Sequence, residues 1–221
     1  MKQLTFAFLV LILLSSTAAD AQYMMRPWMG GRYNRARPRQ RYHSNLPAYT
    51  PTVHFSLGYG FPNLDKTFLP EFYHLYAGST SQKGPVTGAL DYQFSRSMSI
   101  GLMVTHGTVS APYFNYNSGS TMPEFTARYN NWSFMLDLVR YLPVNSRIVE
   151  PYFRTAIGIN TWKQDYTDMS GSKVPGLNVD LPGLAYQAGI GARFRLAKNA
   201  GIFAEAGYGK YILHGGVTLK L

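Results

Sequence analysis

The most catalytic-looking residues in the chain are His54-Phe55-Ser56. On a strand, the imidazole and hydroxyl of such a triplet share one face, the placement from which a histidine could take the proton of a serine nucleophile. The sequence sets no acid beside them to orient the imidazole, so no catalytic residue is assigned and no enzymatic activity is expected. His43, His54, His74, His106 and His214 are scattered, with no pair at metal-ligand spacing, and the chain has no cysteine. Neither a metal site nor a cofactor site is therefore expected.

What remains is charge. Residues 22–50 hold Arg26, Arg32, Arg35, Arg37, Arg39 and Arg41 with no acid, interleaved with Tyr23, Trp28, Tyr33 and Tyr42. Like charges with little apolar surface to bury predict a disordered arm. Residues 51–221 carry 14 basic and 10 acidic residues, so most of the net charge of +10 belongs to the arm. The arm could bind an acidic protein partner or anionic lipid head groups. Single-stranded nucleic acid would suit its chemistry, but an exported protein does not meet it.

Export is read from the first 21 residues. Lys2 precedes nine apolar residues, Phe6 to Leu14, and Ala19-Asp20-Ala21 places small residues two apart before Gln22. These are the three parts of a signal peptide cleaved after Ala21, and the apolar run is too short to span a bilayer as a helix. The expected organisation is a signal peptide over 1–21, the arm over 22–50 and a folded domain over 51–221.

From Thr52 the pattern has period two, the signature of strands with unlike faces. Leu184, Tyr186, Ala188, Ile190, Ala192 and Phe194 alternate with Gln187, Gly189, Gly191, Arg193 and Arg195; Trp132, Phe134, Leu136 and Leu138 alternate with Asn131, Ser133, Met135 and Asp137. Eight such strands are expected, joined by long connections at 61–85, 107–124 and 163–182 and tight ones at 95–97, 143–147 and 197–200. A soluble sandwich or barrel also alternates. Strands of ten residues or more, long enough to cross a bilayer when tilted, favour the membrane. So do two aromatic rims, Tyr59, Trp132, Trp162, Tyr208 and Tyr211 at one end and Phe94, Tyr141 and Phe194 at the other. The expected fold is all-β, an eight-stranded antiparallel transmembrane β-barrel with long loops outside and both termini on the periplasmic side.

The Ala19-Asp20-Ala21-Gln22 junction, the Gly189-Ile190-Gly191-Ala192-Arg193-Phe194 run and the closing Gly215-Gly216-Val217-Thr218-Leu219-Lys220-Leu221 carry a resemblance. The chain resembles the small outer-membrane β-barrel family common in Bacteroidetes, similar in architecture to OmpA- and OmpX-type barrels, over roughly residues 52–221. Family C-termini often end in Phe where this chain has Leu221. The resemblance implies outer-membrane lipid as the surroundings, and a role as an accessory subunit of a secretion or assembly complex.

With the large apolar faces toward lipid, the lumen receives His54, Asp91, Asp137, Glu150, Arg154, Arg193, Arg195, Glu205, His214 and Lys220. An eight-stranded barrel is only wide enough for side chains to fill it, and buried charges must pair. The expectation is a plugged lumen with an ion-pair ladder among Glu150, Arg154, Arg193 and Glu205. The alternative is a narrow porin-like channel for ions or small solutes.

Overall fold

The computed structural model describes residues 49–69, 80–113, 123–144, 146, 148–174 and 178–221. The signal peptide and the arm, including Arg26, Arg32, Arg35, Arg37, Arg39 and Arg41, lie outside the described residues. The described residues all belong to one unit, Pro47–Leu221.

Eight strands follow one another: β1 (Thr52–Phe61), β2 (Ser81–Gln93), β3 (Met98–Tyr113), β4 (Phe125–Tyr141), β5 (Val149–Asp168), β6 (Leu184–Arg195), β7 (Ala200–Tyr208) and β8 (Leu213–Lys220). Each pairs antiparallel with the next, and β8 returns to β1 with Phe55 opposite Leu219, closing the barrel. Closure leaves no strand edge with open hydrogen-bonding groups, the condition for strands to lie in hydrocarbon. No described helix is long and apolar enough to cross a membrane.

Residue parity divides each strand into two faces. Phe55, Leu57, Leu90, Ile100, Leu102, Phe134, Leu136, Ile157, Ile190, Ile202 and Val217 are exposed on the outside, forming an apolar belt. In water such a surface would drive aggregation; in a bilayer it meets lipid. The alternate positions are buried in the lumen and include Asp91, Asp137, Arg154, Gln187 and Glu205.

The strands differ from expectation at one end. β2 starts within the connection expected at 61–85, β3 runs into 107–124 as far as Tyr113, and β5 continues to Asp168. The barrel wall is therefore taller over β2 to β5. Val109, Ala111, Ala127, Tyr129 and Tyr166 line the inside of this extension and pack together, which gives the hairpins an apolar interior beyond the lipid belt.

Three expected rim aromatics also turn inward. Tyr141 and Tyr211 are buried, and Trp162 is half-buried with its indole N–H donating to the Pro182 carbonyl at 2.9 Å. Each has a polar tip that finds a partner inside the barrel, which suits a lumen wall as well as a lipid interface. Tyr59, Trp132, Tyr208 and Phe94 do face outward.

Candidate functional site

The lumen is occupied at three levels, set by which inward positions share a height on neighbouring strands. In the middle stands Arg154 of β5. Its guanidinium reaches Asp137 on the adjacent β4 at 3.1 Å, Asp91 on β2 at 3.2 Å and Glu205 on β7 at 3.2 Å. The four side chains are sealed from solvent, and β2 and β7 are not neighbours of β5, so the contacts cross the bore. Tyr152 and Tyr211 each donate a hydroxyl proton to Glu205, at 3.1 and 2.9 Å.

Glycines make the room for these groups. A Cβ at Gly101 would lie 2.5 Å from the Asp91 carboxylate, and one at Gly191 would lie 2.8 Å from the Tyr152 hydroxyl. The small residues that alternate with large apolar ones along the strands are thus the spaces into which charged side chains fold.

Above the Arg154 cluster, toward the long loops, a second network closes the mouth. A short 3-10 helix, Leu64–Phe68, follows β1 and folds inward, capped by the Asn63 side chain, which accepts from the Asp65 N–H. It buries Leu64 and Asp65. Lys210, in the tight turn between β7 and β8, donates to Asp65 at 2.9 Å and to the Asn160 side-chain carbonyl at 2.6 Å, while Asn131 donates to the other Asp65 oxygen at 2.9 Å. The Leu64 N–H donates to the Lys210 carbonyl, tying the helix to the turn. Burial pushes the Lys210 ammonium below its usual value, and Asp65 pulls it back up.

At the opposite end, Arg193 of β6 donates to His54 Nδ1 and to the Tyr141 hydroxyl, both at 3.2 Å. Since the guanidinium can only donate, His54 accepts at Nδ1 and carries its proton on Nε2, which lies 3.1 Å from the Gln93 side-chain carbonyl. His214 is buried against Tyr211 and Phe203, its ring centroid 4.4 and 4.9 Å from theirs.

Of the expected ladder among Glu150, Arg154, Arg193 and Glu205, the Arg154–Glu205 pair is present, and the places of Glu150 and Arg193 are corrected by this geometry. Arg154 meets Asp91, Asp137 and Glu205, and Glu150 pairs instead with Arg195 in the solvent-exposed rim. Arg193 has no described carboxylate within ion-pair distance, and Lys220 is exposed. The reason is stagger: parity fixes the face of a side chain, while the tilt of the strands decides which distant strand it meets.

The His54-Ser56 pair is also explained. Both are buried on one face, but the Ser56 hydroxyl donates to Thr218 at 3.1 Å and His54 is held by Arg193 and Gln93. The acid absent from the local sequence is supplied across the barrel wall, since Asp91 stands opposite His54 in the β1–β2 register, yet that carboxylate is turned to Arg154. His54 and His214 lie at different heights, opposite Lys220 and Gly60 respectively. Among the described residues no group of three or more potential ligands could hold a metal ion.

Parity puts Asn131 and Asn160 on the lumen faces of β4 and β5, but sequence patterning does not point to Asp65, Lys210 or Tyr211 as members of a lumen network. It holds one signal: a turn as short as Gly209-Lys210 between two strands gives its lysine little room to extend beyond the mouth.

The model of the outer membrane protein beta-barrel domain matches residues 6–218, nearly the whole chain. The chain belongs to this family. An outer-membrane bilayer is thereby also what the apolar belt faces, and the protein's location is the bacterial outer membrane. Solved barrels are similar at low identity. A designed transmembrane β-barrel is 18% identical with a TM-score of 0.42, covering 77% of this chain and 95% of its own. The N-terminal β-barrel domain of Pseudomonas aeruginosa OprF is 11% identical with a TM-score of 0.39, over 77% and 97% of the two chains. Yersinia pestis Ail in a phospholipid nanodisc is 16% identical with a TM-score of 0.40, over 78% and 100%. No curated protein matches this outer-membrane barrel.

Proposed function

We propose that this barrel is a non-enzymatic anchor and interaction protein with a plugged lumen, its short turns and both termini in the periplasm and its tall β2–β5 wall outside the cell. The observation that supports the plug is Arg154, which joins β5 to carboxylates on β2, β4 and β7 across the bore. A water-filled path would need these charges to line a wall, whereas they meet at its centre and are sealed from solvent. The mouth network of Asp65, Lys210 and Asn160 stands above them as a second barrier. On this reading function lies outside the bore, in the loops and in the arm with its six arginines, which suits an acidic periplasmic partner and an accessory-subunit role.

Two experiments test the two halves of the reading. Reconstituted in planar bilayers, the protein is expected to give no unitary current steps, and reproducible steps from the unaltered chain would replace the plug with a channel. Affinity purification from solubilised outer membranes should recover a defined protein partner that is lost when residues 26–41 are removed. Recovery of no partner by either form would overturn the interaction role.

A further inference from the structure

The lumen plug leaves one group unexplained, at the end carrying the short turns. There the barrel end holds a small, partly open cavity of about 50 Å³ whose charged and imidazole lining is His54, Glu150, Arg193, Arg195, Lys198 and Lys220. Glu150 is paired with Arg195. Arg193, Lys198 and Lys220 are then three cations around one space with no described carboxylate left among its lining residues.

Arg193 makes the imbalance unusual. It is only 6% exposed, yet its polar partners are the neutral His54 ring and the Tyr141 hydroxyl, and its Nε is buried without an acceptor among the described groups. The guanidinium lies 5.5 Å from the Tyr141 ring centroid and 6.0 Å from that of Tyr152, contacts that cradle a cation without neutralising it. Arg154, in the same lumen, collects three carboxylates. A buried cation is unfavourable unless an anion offsets it. The arm cannot offer one, since residues 22–50 contain no aspartate or glutamate.

We propose that this cavity is a binding site for a phosphate-bearing anion, with Arg193 at its floor and Lys198 and Lys220 at its opening. Three cations match a dianionic phosphate better than a carboxylate of single charge, and a planar guanidinium fork suits phosphate oxygens. The anion would come from solution or from a phospholipid head group at the membrane surface. The inference goes beyond the plug and does not depend on it, because the cavity lies at the opposite end from the mouth network.

The test is calorimetric titration of the full protein, in uncharged dodecyl maltoside micelles, with inorganic phosphate and with acetate. Phosphate should bind saturably, one per barrel, and at least tenfold more tightly than acetate. The double variant K198E/K220E changes two exposed residues. It should weaken phosphate binding at least tenfold, while Lys173→Glu, an exposed loop lysine, should leave it unchanged. Repeating the titration in nanodiscs separates the sources. Equal affinity in phosphatidylcholine and phosphatidylglycerol discs identifies a soluble phosphate, and an affinity at least tenfold lower in phosphatidylglycerol identifies a competing head group. Unsaturable heats, or equal binding by K198E/K220E, would overturn the site and leave Arg193 balanced through the protein alone.

Discussion

Lys210 Nζ lies 2.9 Å from Asp65 Oδ1, with their side chains 3% and 4% exposed, although the two residues are 145 positions apart in the chain. The contact joins the segment after β1 to the turn before β8, the two strands that close the barrel. It therefore couples mouth closure to barrel closure. Asp65→Ala is expected to destabilise the protein by about 3–5 kcal/mol, because it leaves a buried ammonium without its carboxylate. Adding Lys210→Met should recover most of that loss. Urea unfolding from phosphatidylcholine vesicles, followed by tryptophan fluorescence, measures both, and a double variant no more stable than Asp65→Ala would show that the pair is not what matters.

Burial separates two arginine pairs that look alike in sequence. Arg154→Gln leaves Asp91, Asp137 and Glu205 facing one another without a cation, at an expected cost of about 3–5 kcal/mol. Arg195→Gln removes a pair whose side chains are 49% and 31% exposed, so under about 1 kcal/mol is expected. The same urea assay ranks them, and equal costs would refute the central role of Arg154.

The faces of the strands were legible in the sequence because lipid and lumen demand opposite residue types at alternate positions. Leu184 through Phe194 shows this, with exposed Ile190 and buried Gln187 and Arg193 on opposite parities. The partners of Arg154 were less legible, since they depend on strand stagger, which parity does not encode. Tyr141, Trp162 and Tyr211 read as rim aromatics because an amphipathic ring suits both an interface and a lumen with a hydrogen-bond partner. The mouth network was hidden for another reason: Asp65 and Lys210 lie off the strands, where period two carries no information.

The lipid belt predicts a depth-dependent response to charge. Leu136 is 62% exposed in the belt, with Leu102 opposite it on β3 and Ile157 on β5. Leu136→Arg should cost about 2–4 kcal/mol in vesicles, whereas Thr161→Arg, beside Trp132 nearer the mouth, should cost about 1 kcal/mol or less. Equal costs at the two positions would show that the hydrocarbon does not lie where this belt puts it.

Two glycines predict changes of opposite sign. Gly158 lies opposite Met135 in the β4–β5 ladder, where a Cβ would collide with the Phe134 carbonyl and lie 2.6 Å from the Met135 Cα. Backbone cannot swing aside as a flexible side chain can, so Gly158→Ala must displace one strand against the other. Overpacking of this kind costs about 1–3 kcal/mol. Gly88 is on β2, next to the inward Ala89, and a Cβ there meets nothing within 4 Å. Its φ is not in the positive range, so alanine can adopt the same backbone while restricting the unfolded chain. Gly88→Ala is expected to stabilise by about 0.4–1 kcal/mol. Unfolding midpoints of the two variants in the same vesicles decide the matter. A destabilised Gly88→Ala would mean that lipid or a partner packs closely against the outer face of β2, and an unaffected Gly158→Ala would mean that β4 and β5 are spaced more loosely than their ladder implies.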